Sequence, residues 1–186
     1  MTARDDSEII QDIEHEPEAF GELYEKYVDR IYSYVYHRVG NVHDAEDLTS
    51  RTFFRALSHI SSYQDLGLPF SAWLYRIAHN LLANWHRDRG RRQLVTLEGI
   101  PLRSEGRHQN PEGFALSGDE AQQLVKAMRR LDSQRQELLV LKFTEELSNA
   151  EIAAIMGRTE GAIKSLYHRT LLALRRELTK KGFDLG

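Results

Sequence analysis

Aromatic and basic side chains are interleaved in the chain between residues 73 and 92. The segment 73–80 reads Trp-Leu-Tyr-Arg-Ile-Ala-His-Asn, and Trp85 and Arg87 follow it closely. Aromatic rings stack on unpaired bases, and arginines neutralise the phosphates that link those bases. We therefore expect single-stranded nucleic acid to bind here, with Trp73 and Ile77 kept for the core of the protein.

Cap and turn residues near the carboxyl end predict two consecutive helices. Ser148 and Glu151 have the spacing of a capping box, in which the serine caps a helix and the glutamate reaches back to it. Gly157 can supply the left-handed turn that ends this short helix, and Thr159 can cap the next one. Because Ala153 is small, the second helix can pack closely across the first. The combination predicts a helix-turn-helix, which places its second helix in the major groove of DNA.

The second of these helices has an apolar face and a polar face. The residues expected to be buried recur at helical spacing and are Ile163, Leu166, Thr170 and Leu174. The polar face presents Glu160, Lys164, Ser165, His168 and Arg169. Together with Arg158 and Thr159, which precede the helix, these are the residues that we expect at DNA. Lysine and arginine can bind phosphates or guanine edges, and serine can contact a base or a phosphate. A helical hairpin whose polar face is merely solvated is the alternative interpretation.

The distribution of charge favours a polyanionic partner, although the net charge of the chain is −3. Residues 1–20 carry a net charge of −6, whereas residues 72–92 carry +4 and residues 158–181 carry +5. A single basic stretch is often an ordinary solvated helix face. Two basic stretches in separate parts of the chain favour nucleic acid as the ligand.

Several functional classes are disfavoured by what the sequence lacks. It contains no cysteine, which excludes disulfides and thiolate metal sites and favours a reducing cytoplasm. No apolar run approaches the ~20 residues that span a bilayer, and the acidic start is no signal peptide. His79 and His86 lie on one helix, but two ligands do not make a metal site. With no phosphate loop or nucleophile motif, we expect no metal, no cofactor and no enzymatic activity.

Helical periodicity dominates the chain on both sides of one irregular segment. A first helix is expected from Phe20 to Gly40, a second begins near Asp44, whose side chain can cap it, and a third covers residues 70–85. The irregular segment contains several glycines and prolines, and this composition predicts a flexible linker.

These elements predict an all-α fold with two small helical domains joined by a flexible linker. The expected divisions are an acidic amino-terminal segment at 1–19, a first domain at 20–92, the linker at 93–118 and a helix-turn-helix domain at 119–181. The two basic stretches fall in different domains, so each domain is expected to contact nucleic acid separately.

The order and spacing of several motifs resemble those of the extracytoplasmic-function (ECF) sigma factors, the smallest class of the main bacterial sigma family. In the first domain the resemblance is carried by Asp44-Ala45-Glu46-Asp47-Leu48, by Phe54 and by the segment 73–80. In the second domain it is carried by Leu131, Gln136-Glu137, Ile152-Ala153, Gly157, Gly161 and Ile163-Lys164-Ser165. The resemblance covers about residues 15–92 and 119–180.

The resemblance implies a protein that joins core RNA polymerase and directs promoter-specific initiation. Its surface for the β′ clamp helices, with further contacts to the β subunit, would include Asp44, Glu46, Asp47, Leu48 and Arg51. Its minus-ten surface, which captures flipped bases of promoter DNA, would include Tyr63, Arg76, Asn80, Trp85, Arg87, Arg89, Arg91 and Arg92. The helix-turn-helix would read the minus-thirty-five element. Many family members are held inactive by an anti-sigma factor, which is therefore a candidate partner.

One position departs from the family pattern, and one alternative function remains open. The family often has arginine after the Lys-Ser pair, whereas this chain has Leu166, so a DNA contact is lost or moved. The alternative function is a transcriptional regulator that binds duplex DNA without joining polymerase. That alternative would explain the helix-turn-helix but not the acidic turn at residues 44–47 or the aromatic-basic helix.

Overall fold

The computed structural model of the protein describes residues 4–89, 118–180 and 182. Every regular element in these ranges is helical, which confirms the predicted all-α fold. The first domain contains α1 (Asp6–Ile13), α2 (Phe20–Val39), α3 (Val42–Ser58) and α4 (Phe70–Asp88). The second contains α5 (Gly118–Met128), α6 (Ser133–Leu139), α7 (Asn149–Met156) and α8 (Glu160–Thr179). The predicted linker at 93–118 lies outside the described residues except for Gly118.

Three short helical turns complete the described elements. Two are 3₁₀ turns, at Pro17–Ala19 before α2 and at Ile60–Ser62 after α3. The third is a π-helical turn at Val140–Thr144, which continues α6 and widens its end before the chain enters α7.

Helices α2, α3 and α4 form the bundle of the first domain. Gly40 ends α2 in the left-handed conformation, with φ of 78°, as the breaker in the sequence predicts. The assignment of the α3 cap to Asp44 was wrong. The chain leaves Gly40 extended at Asn41, so α3 begins at Val42, and the Asn41 side chain accepts a hydrogen bond from the Asp44 backbone nitrogen at 2.8 Å.

The acidic amino-terminal segment contains α1, an element that the sequence analysis did not assign. Ile9 and Ile13 on one face of α1 are buried in the core of the first domain. On the other side, Asp6 forms an ion pair with Lys26 of α2 at 2.6 Å and accepts a hydrogen bond from the Tyr27 hydroxyl. The acidic segment therefore packs on α2 of its own domain.

The second domain has the helix-turn-helix geometry that the sequence predicts. Ser148 and Glu151 form both hydrogen bonds of the capping box, and Thr159 accepts from the backbone of α8. Gly157 ends α7 in the left-handed conformation, with φ of 66°. Ala153 is buried, and α7 packs against α8, so the local signals of the motif agree with the structure.

The two domains are docked against each other through a continuous core. Helix α4 packs on α7, and α2 packs on the π-helical turn at Val140–Thr144. Buried side chains of α2 and α4 belong to the same apolar cluster as those of α6 and α7. The sequence predicted the two domains but not this docking, because contacts between segments so far apart leave no local pattern.

Candidate nucleic-acid interface

The outer face of α8 presents a polar surface of the kind that reads duplex DNA. All seven residues expected at DNA are exposed, five of them on α8 and two, Arg158 and Thr159, just before it. Lys164 lies 3.6 Å from Glu160 one turn earlier, and Arg158 donates a hydrogen bond to Gln134 at 2.8 Å. Both are exposed contacts of low energy, so the cations can exchange them for phosphate oxygens.

The inner face of α8 fixes the orientation of that polar surface. Ile163, Leu166 and Thr170 are buried against the rest of the domain, and the Thr170 hydroxyl donates to the Leu166 carbonyl at 2.7 Å. Leu174 is half-buried. Because Leu166 packs in the core, it faces away from the exposed polar surface of α8.

Helix α4 and its end carry the residues expected at single-stranded DNA. Arg76, Asn80 and Arg87 are exposed on α4. The Trp85 ring is half-buried, and the guanidinium of Arg89 lies over it at 5.1 Å from the ring centroid. The guanidinium therefore restricts the area of the ring on which a base could stack. Arg91 and Arg92, expected in the same set, lie outside the described residues.

Tyr63 closes an aromatic cluster at the amino end of α4. Its ring centroid lies 5.2 Å from that of Phe70 and 5.3 Å from that of Trp73, in edge and tilted arrangements. Burial, with the charge of nearby Asp65, raises the pKa of the Tyr63 phenol, so the hydroxyl stays a hydrogen-bond donor. The cluster brings Tyr63 beside the start of α4, on the segment expected to meet the minus-ten element.

The expected polymerase-docking residues of α3 divide into exposed and buried members. Glu46, Asp47 and Arg51 are exposed, and Arg51 lies 3.8 Å from Asp47. Leu48 belongs to the core. Asp44 is buried by contacts within the domain, since it accepts from the Asn41 side chain at 2.7 Å and pairs with Arg89 at 3.1 Å.

Phe54 is a surface residue for which the sequence analysis gave no role. Its side chain is 73% exposed on α3, at helical spacing from Asp47 and Arg51. A large exposed apolar residue beside charged ones is typical of a protein-binding surface. The heptad spacing of Asp47 and Phe54 is the signal that could have identified it.

A buried polar network joins the two domains. Glu137 of α6 accepts hydrogen bonds from the Tyr34 hydroxyl at 2.5 Å and from the His79 ring at 2.6 Å. Burial opposes ionisation of Glu137, but the His79 hydrogen bond and nearby positive charge hold its pKa below the usual range. Tyr75 donates a hydrogen bond to Glu145, and burial raises the pKa of the Glu145 carboxyl. The polar residues on the otherwise apolar face of α4 are the only sequence signal of this network.

Within residues 4–89 and 118–180, no helix has both the length and the apolar character needed to cross a bilayer. In that part of the chain, no three histidine, aspartate or glutamate side chains converge as metal ligands would.

The fold and its exposed surfaces define a two-domain helical DNA-binding protein, and sequence comparison identifies the family. The sequence model of the family "Sigma-70 region 2" matches residues 23–92, and that of "Sigma-70, region 4" matches residues 121–174. The ECF RNA polymerase sigma factor SigW of Bacillus subtilis is 33% identical over 168 residues, covering 87% of this chain and 89% of SigW. The chain belongs to the ECF RNA polymerase sigma factors.

Two further comparisons agree with this assignment. The ECF RNA polymerase sigma factor BldN of Streptomyces coelicolor is 44% identical over 163 residues. That match covers 88% of this chain, which spans only 61% of the length of BldN. The sigma factor RpoE of Bartonella quintana, solved in complex with the anti-sigma factor NepR, superimposes with a TM-score of 0.62 at 25% identity. The match covers 87% of this chain and 98% of RpoE.

Proposed function

We propose that this protein binds core RNA polymerase and directs promoter-specific transcription initiation, acting by binding and without catalysis. The observation that carries the proposal is the presence, in one chain, of a region 2 domain and of a helix-turn-helix whose second helix has an exposed polar face. A regulator of duplex DNA needs only the second of these. The bacterial cytoplasm, where polymerase and promoter DNA meet, is the proposed site of action.

The helix-turn-helix is assigned to the minus-thirty-five element. Lys164 and Arg169 are exposed on α8 and can bind phosphates or guanine edges. Ser165 and His168 lie between them on the same exposed face and add hydrogen-bonding groups. Arg158 and Thr159 lie at the amino end of α8, where backbone nitrogens also face a phosphate.

The first domain is assigned to the minus-ten element and its melting. Exposed Asn80 can hydrogen-bond to an unpaired base, while Arg76 and Arg87 can neutralise the backbone around it. The half-buried Trp85 near the end of α4 and the Tyr63 cluster at its amino end provide aromatic surface. Capturing flipped bases offsets part of the unstacking free energy, which lowers the cost of opening the duplex.

The exposed face of α3 is assigned to the polymerase β′ clamp helices. Glu46, Asp47 and Arg51 supply charge, and Phe54 supplies apolar area. Leu48 and Asp44 support that face from beneath, through the core and through the start of α3. The segment 93–118 is proposed to connect the two domains along the polymerase. An anti-sigma factor is proposed as a second partner, which competes with polymerase for this protein.

Gel filtration with purified core polymerase tests this proposal against the regulator. The sigma factor is expected to co-elute with core enzyme, and a duplex-binding regulator is expected to elute alone. An Asp47→Arg variant provides the control, because it changes the proposed docking face and leaves α8 intact. Absence of co-elution, with duplex binding retained, would establish the regulator instead.

A further inference from the structure

A cavity of about 360 Å³ lies between the docked domains. The first domain lines it with Arg38 from α2 and with His79, His86 and Arg87 from α4, and the second domain adds Ser133 and Gln134 from α6. The walls come from both domains, so the cavity exists only when they are docked. Its volume is at the lower end of the range for small-molecule sites.

Arg38 is a buried cation whose hydrogen-bonding capacity is only partly used. Its side chain is 3% exposed, and one terminal nitrogen donates to the Ser133 hydroxyl at 3.1 Å. The Nε and Nη1 atoms are buried and have no hydrogen-bond partner among the described residues. Arginine stays charged in proteins, and a buried charge without acceptors is strongly unfavourable. Glu137 lies near enough for its charge to balance part of the Arg38 charge, but the Nε and Nη1 atoms still lack acceptors.

The carboxylate that lines the cavity is already engaged. Glu137 accepts hydrogen bonds from Tyr34 and His79, at 2.5 and 2.6 Å. Ser133 satisfies a single nitrogen of Arg38. The two unused nitrogens, Nε and Nη1, point to different edges of the guanidinium, so each can donate a separate charge-assisted hydrogen bond to an oxyanion.

Two further side chains add donors or positive charge. The His86 Nε2 atom is buried and has no hydrogen-bond partner within residues 4–89 and 118–180. Burial and the charge of Arg38 lower the pKa of His86 to about 4, so the neutral ring can still donate one hydrogen bond. Arg87 is 75% exposed beside the cavity and brings a second guanidinium to its wall.

We propose that this cavity binds a small oxyanion, either free phosphate or the phosphoryl group of a small metabolite. Arg38 donates a charge-assisted hydrogen bond, Ser133 and His86 add further hydrogen bonds, and Arg87 adds charge at the solvent side. Because the site requires both domains, the bound anion stabilises the docked arrangement by mass action. On the proposed function, such an anion favours the docked arrangement over one in which the two domains contact promoter DNA separately, whereas binding of the anion does not depend on that function.

Direct titration of the full chain with inorganic phosphate tests the proposal. Calorimetry at constant ionic strength, with sodium chloride as the matched salt, separates a site from general screening. Saturable phosphate binding is expected, and no heat beyond that of chloride would overturn the proposal. Glycerol phosphate forms the second arm: tighter binding than inorganic phosphate identifies a phosphorylated metabolite as the source, and weaker binding identifies free phosphate.

Substitutions show whether the binding is at this cavity. Arg38→Gln is expected to weaken phosphate binding by about tenfold or more, since it removes a charge-assisted contact. Arg87→Gln, on an exposed side chain that does not threaten the fold, is expected to weaken it about threefold. Arg55→Gln removes an exposed cation from α3, away from the cavity, and is expected to have no effect. Equal affinity of wild type and Arg87→Gln would overturn the proposal even if Arg38→Gln failed to fold.

Domain docking provides an independent readout. Ser58 and Thr179 are exposed on α3 and α8. Because the chain has no cysteine, a variant with Ser58→Cys and Thr179→Cys contains only these two thiols, which can be labelled with a donor dye and an acceptor dye. In urea concentrations that partly separate the domains, phosphate is expected to raise the energy transfer between the dyes, and Arg38→Gln is expected to abolish that rise. An equal rise with chloride would contradict a site that holds the domains together.

Discussion

At the scale of single residues, exposure separates the side chains that can make contacts from those that support them. Asp47 and Lys164 are exposed, and each holds only a weak ion pair with a neighbour on its own helix. Asp44 and Leu48 lie in the same acidic motif but are buried. The motif in the sequence therefore combines one docking surface with the packing that supports it.

Reversal of charge at Asp47 is expected to affect polymerase binding selectively. Asp47→Arg should weaken binding to core polymerase by about tenfold, because like charges meet at the interface. Duplex DNA binding should change much less, since α8 is untouched. Fluorescence anisotropy with core enzyme and with duplex measures both, and Glu14→Arg provides an exposed charge reversal outside α3. Equal loss in the two assays would contradict the assignment of α3.

Removal of positive charge from α8 is expected to change the salt dependence of DNA binding. Lys164→Ala and Arg169→Ala should each lower the slope of log affinity against log salt by about one, which corresponds to one lost phosphate contact. Lys126→Ala, an exposed cation on α5, provides the matched control. Titrations of duplex at several salt concentrations measure the slopes, and an unchanged slope in both α8 variants would exclude phosphate contact there.

At the scale of elements, the sequence predicted best where local signals decide the structure. The capping box at Ser148 and the left-handed Gly157 act within a few residues, and both were predicted correctly. Helix α1 was missed because a short helix in an acidic segment depends on tertiary packing, here of Ile9 and Ile13. The start of α3 was misplaced because both Asn41 and Asp44 can cap a helix.

The turn between α7 and α8 gives a test of local backbone conformation. Gly157→Ala is expected to reduce the free energy of unfolding by about 1 kcal/mol, because its φ of 66° is unfavourable for a residue with a Cβ atom. The added Cβ meets no atom within 4 Å, so the cost is conformational alone. Gly161→Ala in α8 is the control and should be neutral or stabilising. Urea denaturation measures both, and equal effects would refute the role of the turn.

At the scale of the whole molecule, docking of the domains depends on contacts that no local pattern encodes. Tyr34 and Glu137 are 103 residues apart, and they meet in a buried hydrogen bond. Sequence reasoning placed Tyr34 on an amphipathic helix and Glu137 in a family motif, without connecting them. The cavity around Arg38 could not be predicted for the same reason.

The docked state is expected to lose stability on acidification through His86. Burial and the charge of Arg38 depress its pKa from 6.5 to about 4, although Glu137 opposes this shift. As the pH falls, His86 is protonated in the unfolded chain before it is protonated in the folded one. The free energy of unfolding is therefore highest above pH 6.5 and declines as the pH falls toward 4. His86→Asn should flatten this decline in urea denaturation measured across that range. Parallel curves for wild type and variant would show that His86 does not titrate differently on folding.

The central claim, that both domains act together in promoter-specific initiation, is tested most directly by run-off transcription. Purified core polymerase is supplied with genomic fragments, with and without this protein, and the 5′ ends of the transcripts are sequenced. The account predicts products that require the protein and that share two upstream elements, one for each domain. Failure to obtain any promoter-dependent product from any fragment would contradict it.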